Sequence, residues 1–323
     1  MNLVALVNSC NRLALLRTAV PSLRAALADW PGGAAVVVFD AGSTDGSREW
    51  IAQEADQTPG VPLELLTPAP GEARSFAAGL NAAAAAALVR HRQAAWLLCF
   101  ETDNWIAGGR PLRAAAALLA EQPGLGAAGF TVRRHDGSPA GYGARFPTVA
   151  GFVLGPQLSH RLGWEMPPRA PRTSPGAGTW WPCDVVYTSP LLVRRAAWEQ
   201  SGGLDAVRYP FSECDVDWAW RLRGLGWGQA VVETTEVVHD NRAQLSAWSA
   251  RRSLDFHRAR LALLRQHRGR AAGLVKPLLA LRHLGEWLAV AALAAAGRRP
   301  AEAAAARLAL LRAVWRDYET EAG

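Results

Sequence analysis

Lysine is almost missing from this chain: of 35 basic residues, only Lys276 is a lysine. A GC-rich genome is enough to explain that bias, so the arginines are not read as phosphate ligands by number alone. Cysteine is equally sparse. Cys10, Cys99, Cys183 and Cys214 form no C-x-x-C pair, which argues against a zinc site and a disulfide framework and for reduced thiols. The N-terminus, Met1 to Val7, lacks the basic flank of a signal peptide and reads as a first strand. No uninterrupted apolar run has the length of a membrane span; the nearest, Gly273 to Gly297, is broken by Lys276, Arg282, His283 and Glu286. A cytoplasmic protein is the resulting expectation.

What is present is apolar and unevenly charged. Half of the 323 residues are hydrophobic, enough for a sizeable core. Residues 1–240 carry 20 basic and 22 acidic side chains, whereas residues 241–323 carry 15 and 6. The body is nearly neutral and the tail has a net charge of +9. The tail reads as amphipathic helices, Leu254–His267, Leu274–Leu293 and Ala301–Trp315, with helical character from Leu245 onward. Such helices either pack on the body with a solvated arginine face or lie on a membrane surface. Nucleic acid is disfavoured, because no binding motif accompanies the charge.

Strand and helix signals alternate through the first half: Leu3–Val7, Leu13–Trp30, Ala34–Phe39, Ser47–Ala55, Leu63–Leu66, Phe76–Arg92 and Ala95–Phe100. That order predicts an α/β domain with a largely parallel sheet. In such sheets ligands bind beyond the carboxyl ends of strands, and two strands end in acids, at Asp40 and at Glu101-Thr102-Asp103. Asp40 either belongs to a capped turn with Thr44 or Asp45 or accepts hydrogen bonds from a nucleobase or ribose. Glu101 and Asp103 either cap a loop or turn oxygens toward one hard cation. Residues 131–182, rich in Gly, Pro and Arg, read as a long functional loop containing Trp164, Trp180 and Trp181.

Val185–Val193 reads as a strand and Arg195–Ser201 as a short helix. The densest charge follows, at Glu213-Cys214-Asp215-Val216-Asp217 before the helical run Trp218 to Arg223. Carboxylates crowded at a helix start repel one another unless a dipole, a cation or a proton offsets the repulsion. His239 ends the next strand; alone it reads as structural more readily than as a ligand. Trp218, Trp220 and Trp227 read first as core.

Taken in order, these segments resemble family 2 glycosyltransferases of the GT-A fold over residues 1–240. Val7-Asn8-Ser9-Cys10-Asn11-Arg12 is similar to the family's opening turn. Val37 to Ser47 is similar to its VVDNGSTDGS nucleotide loop, and Ser75 to Asn81 to its GFAAGNN segment. Glu101-Thr102-Asp103 stands at the D-x-D metal motif. Leu191 to Arg195, Gly202 to Asp205 and Asp215 to Trp227 resemble the LLVRR, GGFD and EDVDL..RLR..GW block. Among subgroups the likeness is to bacterial rhamnosyltransferases acting on polyprenyl-linked acceptors.

The resemblance implies a mixed, mostly parallel Rossmann-like sheet flanked by helices. The transferase domain would be residues 1–245, with a donor half (1–130) and an acceptor half (131–245), followed by the helical extension 246–323. It implies inverting transfer from a dTDP- or UDP-sugar to a glycan or polyprenyl-linked hydroxyl, at the inner face of the membrane. Asn11, Arg12, Asp40, Gly42, Ser43, Phe76, Asn81, Glu101 and Thr102 would bind the nucleotide-sugar. Asp103, Glu101 and His239 would hold Mn²⁺ or Mg²⁺, and Asp217, Thr188 and Trp181 would meet the acceptor. Asp215 would be the general base, or Glu213 if the chain bulges by one residue, because Cys214 stands at the usual Glu. Glu101 for Asp or Asn lengthens the reach to the metal. Ser75 and Thr188, both at usual glycines, bear on donor and acceptor preference. The alternative is a binding module of the same fold without catalysis, for which Cys214 is the main argument.

Overall fold

Runs of β-branched and aliphatic residues set the centre of the molecule. β1 (Leu3–Ser9), β2 (Ala34–Asp40), β3 (Leu63–Leu66) and β4 (Trp96–Cys99) alternate with α1 (Leu13–Leu27), α2 (Ser47–Gln57) and α3 (Phe76–Arg90). β2 is buried along its whole length, as a strand covered on both faces must be. The computed structural model describes residues 2–164, 170–240 and 250–317. The expected helix start at Leu245 and the expected domain boundary lie outside them.

Then follow β5 (Asn104–Ile106), α4 (Arg110–Glu121), β6 (Leu125–Phe130), β7 (Val132–Arg133) and β8 (Pro139–Gly141). After these come α5 (Val149–Leu154), α6 (Pro156–Arg161), β9 (Arg172–Ser174), β10 (Gly178–Cys183) and β11 (Leu191–Arg194). α7 (Arg195–Ser201), α8 (Cys214–Gly224), β12 (Gly228–Val232) and β13 (Val237–His239) follow. The stretch 131–182 is therefore not one loop. It supplies strands to two sheets and two short helices.

The main sheet has nine strands in the order β3-β2-β1-β4-β11-β6-β12-β10-β9. Its β3-β2-β1-β4 half is parallel throughout, and β11 runs antiparallel between β4 and β6. Asp40 closes β2 in register with Ser9 of β1, and Glu101 follows β4, the next strand over. The two acidic strand ends are thus brought to one edge of the parallel half. A second sheet of four strands, β5-β13-β7-β8, pairs His239 with Asn104.

The core lies between the main sheet and helices α1 and α4, with Leu16, Leu23, Leu112, Leu118 and Phe100 fully or almost fully buried. Arg24 is buried there because each of its three side-chain nitrogens has a partner: Nε reaches Val61 O at 2.9 Å, Nη1 reaches Glu54 and Nη2 reaches Thr58 O. α3 lies close on β1 and β2 at Gly79. A Cβ there would fall 2.6 Å from Asn8 Oδ1 and 2.8 Å from Phe39 Cδ1. All four cysteines are free thiols, with Cys10 exposed and the others buried.

The chain separates into two compact units, Met1–Arg145 with Pro167–Ala243 and Phe146–Met166 with Gln244–Gly323. In the second, α5 and α6 join the C-terminal helices α9 (Ala250–Arg268), α10 (Val275–Ala295) and α11 (Ala301–Asp317). Its small core packs Phe152 with Leu261, Leu264, Val275 and Leu279. Arg282 donates to the Phe152 and Val153 carbonyls. The apolar stretch that looked broken in the sequence is one continuous helix, α10. Lys276 sits in its first turn, and Arg282 pairs with Glu286 at 2.9 Å. By length and composition alone α10 could cross a membrane, and 11% of its most apolar window is buried.

Candidate functional site

The residues expected to form a nucleotide loop make a hydrogen-bonded turn at the end of β2. Asp40 is completely buried; its Oδ1 accepts from the N–H groups of Gly42 and Ser43 at 3.0 and 2.8 Å. Oδ2 is buried without a hydrogen-bond partner, an acceptor held ready for a donor group. Asn11 reaches over from β1: its N–H donates to Ser43 Oγ and its Oδ1 accepts from Thr44 N–H, both at 2.8 Å. Asp45 ties the same turn to α1 by accepting from Leu13 N–H at 3.0 Å. Hydrogen bonds from Ser47 and Leu13 hold its carboxyl below the usual range. Gly42 has a φ of 102°, and a Cβ there would lie 2.9 Å from Arg74 Nη1. A cation therefore stands directly over the loop, a residue the sequence reading did not single out.

Glu101, Asp103 and His239 converge so that one ligand atom from each lies within 4.8 Å of the others. His239 Nε2 is 3.5 Å from Asp103 Oδ2. Burial raises the Glu101 carboxyl, the neighbouring Asp103 adds to this, and His239 and the Thr188 hydroxyl oppose it. For Asp103 burial also works against the charge, but the hydrogen bond and charge of His239 outweigh it, and its carboxyl is held low. Burial disfavours the His239 cation, yet Asp103 raises its pKa above the ordinary value. Asp103 Oδ1 is buried without a partner. Two carboxylates, an imidazole and an orphaned buried oxygen fit a divalent cation.

Behind these three side chains stands a polar chain in which Thr188 was expected at the site and Ser189 and Asn104 were not. Thr188 Oγ1 donates to Glu101 Oε1 at 3.1 Å. Ser189 Oγ donates to Asn104 Oδ1 at 3.0 Å and lies 3.4 Å from His239 Nε2. Thr188 is 2% exposed, so it supports Glu101 rather than presenting itself to an acceptor.

The acidic cluster opens α8. Glu213 precedes the helix in a left-handed conformation, φ 68°; with Asn11 at 53° it makes the two non-glycine residues of this kind among those described. Such backbone is costly and concentrates at functional sites. Cys214 points inward, buried, with Sγ 3.7 Å from Phe211 O. Asp215 is partly exposed, and its Oδ1 accepts from Val216 N–H at 2.9 Å. Burial, then the charges of Glu213 and Glu101, push its pKa up to about 7. Asp215 of the acidic cluster thus lies close enough to Glu101, after β4, for their charges to interact.

Several expected ligands have other duties. Asp217 is fully buried and receives Arg221 Nε at 2.8 Å, while Arg221 also donates to Ser201 O and Gly203 O. It is the anchor of a structural clamp and has no face for an acceptor. The Asn81 side chain is engaged at both ends by Leu204: Nδ2 donates to its carbonyl at 2.8 Å and Oδ1 accepts its N–H at 2.9 Å. Trp181 is 6% exposed in β10, packed edge-on to Tyr142, so an acceptor cannot stack on it. Trp218 is core, with its Nε1 donating to Ser201 Oγ. Phe76 and Thr102 sit at the start of α3 and beside the metal-type acids, half-buried and buried respectively, and Arg12 contributes charge that lowers Asp103.

No protein-family model matches the chain, and no curated protein matches it by sequence. Solved structures do. The mannosyltransferase PcManGT from Pyrobaculum calidifontis, in complex with GDP-Man and Mn²⁺, aligns with a TM-score of 0.56 at 23% identity, over 99% of this chain and 83% of that one. The fold is of the GT-A type. Residues 1–349 of S. aureus TarS, in complex with UDP-GlcNAc, align with a TM-score of 0.51 at 15% identity, over 88% and 73% of the two chains. GalNAc-T7 with UDP, GalNAc and Mn²⁺ aligns at 0.52 and 13%, over 80% and 47%. Within this GT-A fold, Asp40, the Glu101/Asp103/His239 group and Asp215 are the chemically distinctive features.

Proposed function

We propose that this protein is a metal-assisted, inverting glycosyltransferase that moves a sugar from a nucleoside-diphosphate donor to an acceptor hydroxyl. The observation that carries the reading is the convergence of Glu101, Asp103 and His239 on one point, beside an Asp215 whose pKa is raised to about 7 partly by Glu101. Glu101, Asp103 and His239 would hold a divalent cation, which would supply positive charge to stabilise the leaving diphosphate. The imidazole favours Mn²⁺ over Mg²⁺. Asp40 Oδ2 accepts a hydrogen bond from the nucleoside, and Arg12 and Arg74 add charge on the diphosphate side. Asp215 takes the proton of the attacking hydroxyl. A carboxylate with a pKa near the working pH suits that task, and Val216 N–H fixes its orientation. Glu213 is read as the charge that raises Asp215, not as the base itself. Residues 1–130 would then be the donor half and 131–245 the acceptor half.

The motifs support a dTDP- or UDP-sugar donor, with rhamnose as the sugar, and a glycan or polyprenyl-linked acceptor. The basic tail supports docking of a cytoplasmic protein on the inner face of the membrane. The competing reading, a module that binds without catalysis, drew on Cys214. That residue is buried with its Sγ against Phe211 O, and burial and the charge of Asp215 raise its thiol well above the ordinary value, so it sits beside Asp215 as a neutral thiol and leaves that carboxylate in place. The test is nucleoside-diphosphate release from a panel of dTDP-rhamnose, UDP-sugars and GDP-mannose with Mn²⁺. Release from one donor that stops with EDTA supports the reading. Tight donor binding without release, with or without acceptors, favours the module.

A further inference from the structure

α10 and α11 lie against one another within the second unit and leave a trough of about 560 Å³ between them. That is within the range of roughly 300–1,000 Å³ occupied by small-molecule clefts. Pro277, Leu281, Leu284 and Leu311 line it together with the side chains of Arg312 and Arg316, and its surface is almost wholly apolar. Arg312 and Arg316 are exposed and one turn apart on α11, neighbours on the helix surface at the spacing that lets two side chains meet one group. The apolar surface continues beyond the trough. Leu278, Leu281, Leu284 and Leu288 are 40–66% exposed, and at 3.6 residues per turn they fall within about a third of the α10 circumference.

An exposed leucine face beside paired arginines selects its partner by charge. Glu286, on the same helix as the leucines, is already neutralised, with Arg282 at 2.9 Å, Arg307 at 3.0 Å and His283 at 3.2 Å. It does not repel an incoming anion. Residues 241–323 carry 15 basic against 6 acidic side chains. The complement of this surface is apolar and anionic at once.

We propose that the trough binds an anionic phospholipid. One acyl chain lies along Leu281, Leu284 and Leu311, the phosphate is held by Arg312 and Arg316, and α10 rests lengthwise on the bilayer surface. The inference deepens the membrane-docking part of the proposed function and does not depend on sugar transfer. It replaces diffuse attraction of a basic tail by a defined lipid site.

The test uses the full chain, sedimented with vesicles of phosphatidylcholine alone or mixed with phosphatidylglycerol. Three double variants are compared, each checked for wild-type helicity by circular dichroism: Arg312→Ala/Arg316→Ala, Leu281→Ser/Leu284→Ser, and Arg298→Ala/Arg299→Ala, which removes equal charge outside the trough. Wild type should bind only the phosphatidylglycerol vesicles. The trough arginine pair should lose about 30-fold in affinity, and the Arg298/Arg299 pair much less. The serine pair should lose tenfold or more, without recovery at low salt. Equal losses for both arginine pairs, or unchanged binding of the serine pair, would leave tail docking standing and overturn the trough. No binding by wild type overturns both, as does a wild-type dimer that the serine pair disperses, since a second copy would then cover the face.

Discussion

His239 Nε2 lies 3.5 Å from Asp103 Oδ2 because a three-residue strand, β13, pairs antiparallel with β5 and sets His239 opposite Asn104, the residue after that acid. Without this pairing the two acids would have no third ligand. Mn²⁺ should therefore raise the melting temperature of the wild type and EDTA should reverse the rise. At a hundredfold excess over the dissociation constant the gain is about 2.7 kcal/mol. Asp103→Asn should abolish it. Affinity should increase with pH, because His239 holds a proton to higher pH than an ordinary histidine and must lose it to bind metal. Calorimetric titration of Mn²⁺ at several pH values measures both effects.

The acid limb of the rate should report Asp215. With a pKa of about 7, its basic form grows as pH rises, so kcat/KM should climb toward neutrality and level off above it. Excess Mn²⁺ should move the limb to lower pH, since a nearby cation favours the carboxylate. A flat profile between about pH 5 and 8 would contradict the assignment.

The same residue should cost stability at alkaline pH. Its folded carboxyl keeps a proton that an unfolded aspartate, at 3.8, has lost. The associated stabilisation is complete below about pH 4 and disappears as pH rises through about 7. Asp215→Asn should thus melt above the wild type at pH 8, by at most about 4 kcal/mol, the equivalent of the whole shift. Denaturant titrations at pH 5 and pH 8 would show the difference growing with pH.

Asp217→Ala should act on folding and not on acceptor affinity. It strands Arg221 beside a buried cavity, and removing one partner of a buried pair costs about 3 kcal/mol or more. A variant of unchanged stability with a raised acceptor KM would restore Asp217 to the acceptor site.

Asn81→Ala leaves the Leu204 N–H and C=O without their side-chain partners and should destabilise by about 2 kcal/mol. Donor KM should respond less than stability does. A large rise in donor KM at unchanged stability would return Asn81 to the nucleotide-sugar.

The strands from Leu3 to Cys99 were legible because period and apolar runs agree with what a sheet covered on both faces requires, and Asp40 and Glu101 were legible as acids ending such strands. α4 and β6 gave weaker signals. β6, Leu-Gly-Ala-Ala-Gly-Phe, has little intrinsic strand preference and is fixed by its neighbours β11 and β12. Residues 146–161 are rich in loop-type residues, yet Thr148 caps α5 by accepting from Gly151 N–H. In the acidic cluster the sequence could not divide the roles. Asp215 and Asp217 are two residues apart, and only the fold brings one within range of the Glu101 charge and closes the other on Arg221. The i,i+4 spacing of Asp217 and Arg221 was the available hint.

The most direct test compares wild type with Asp215→Asn, measuring donor affinity and turnover on the same preparations. The account predicts donor affinity within a fewfold of wild type and turnover lower by at least about a hundredfold, the lower bound for a general base. Turnover at the wild-type rate in Asp215→Asn would contradict it.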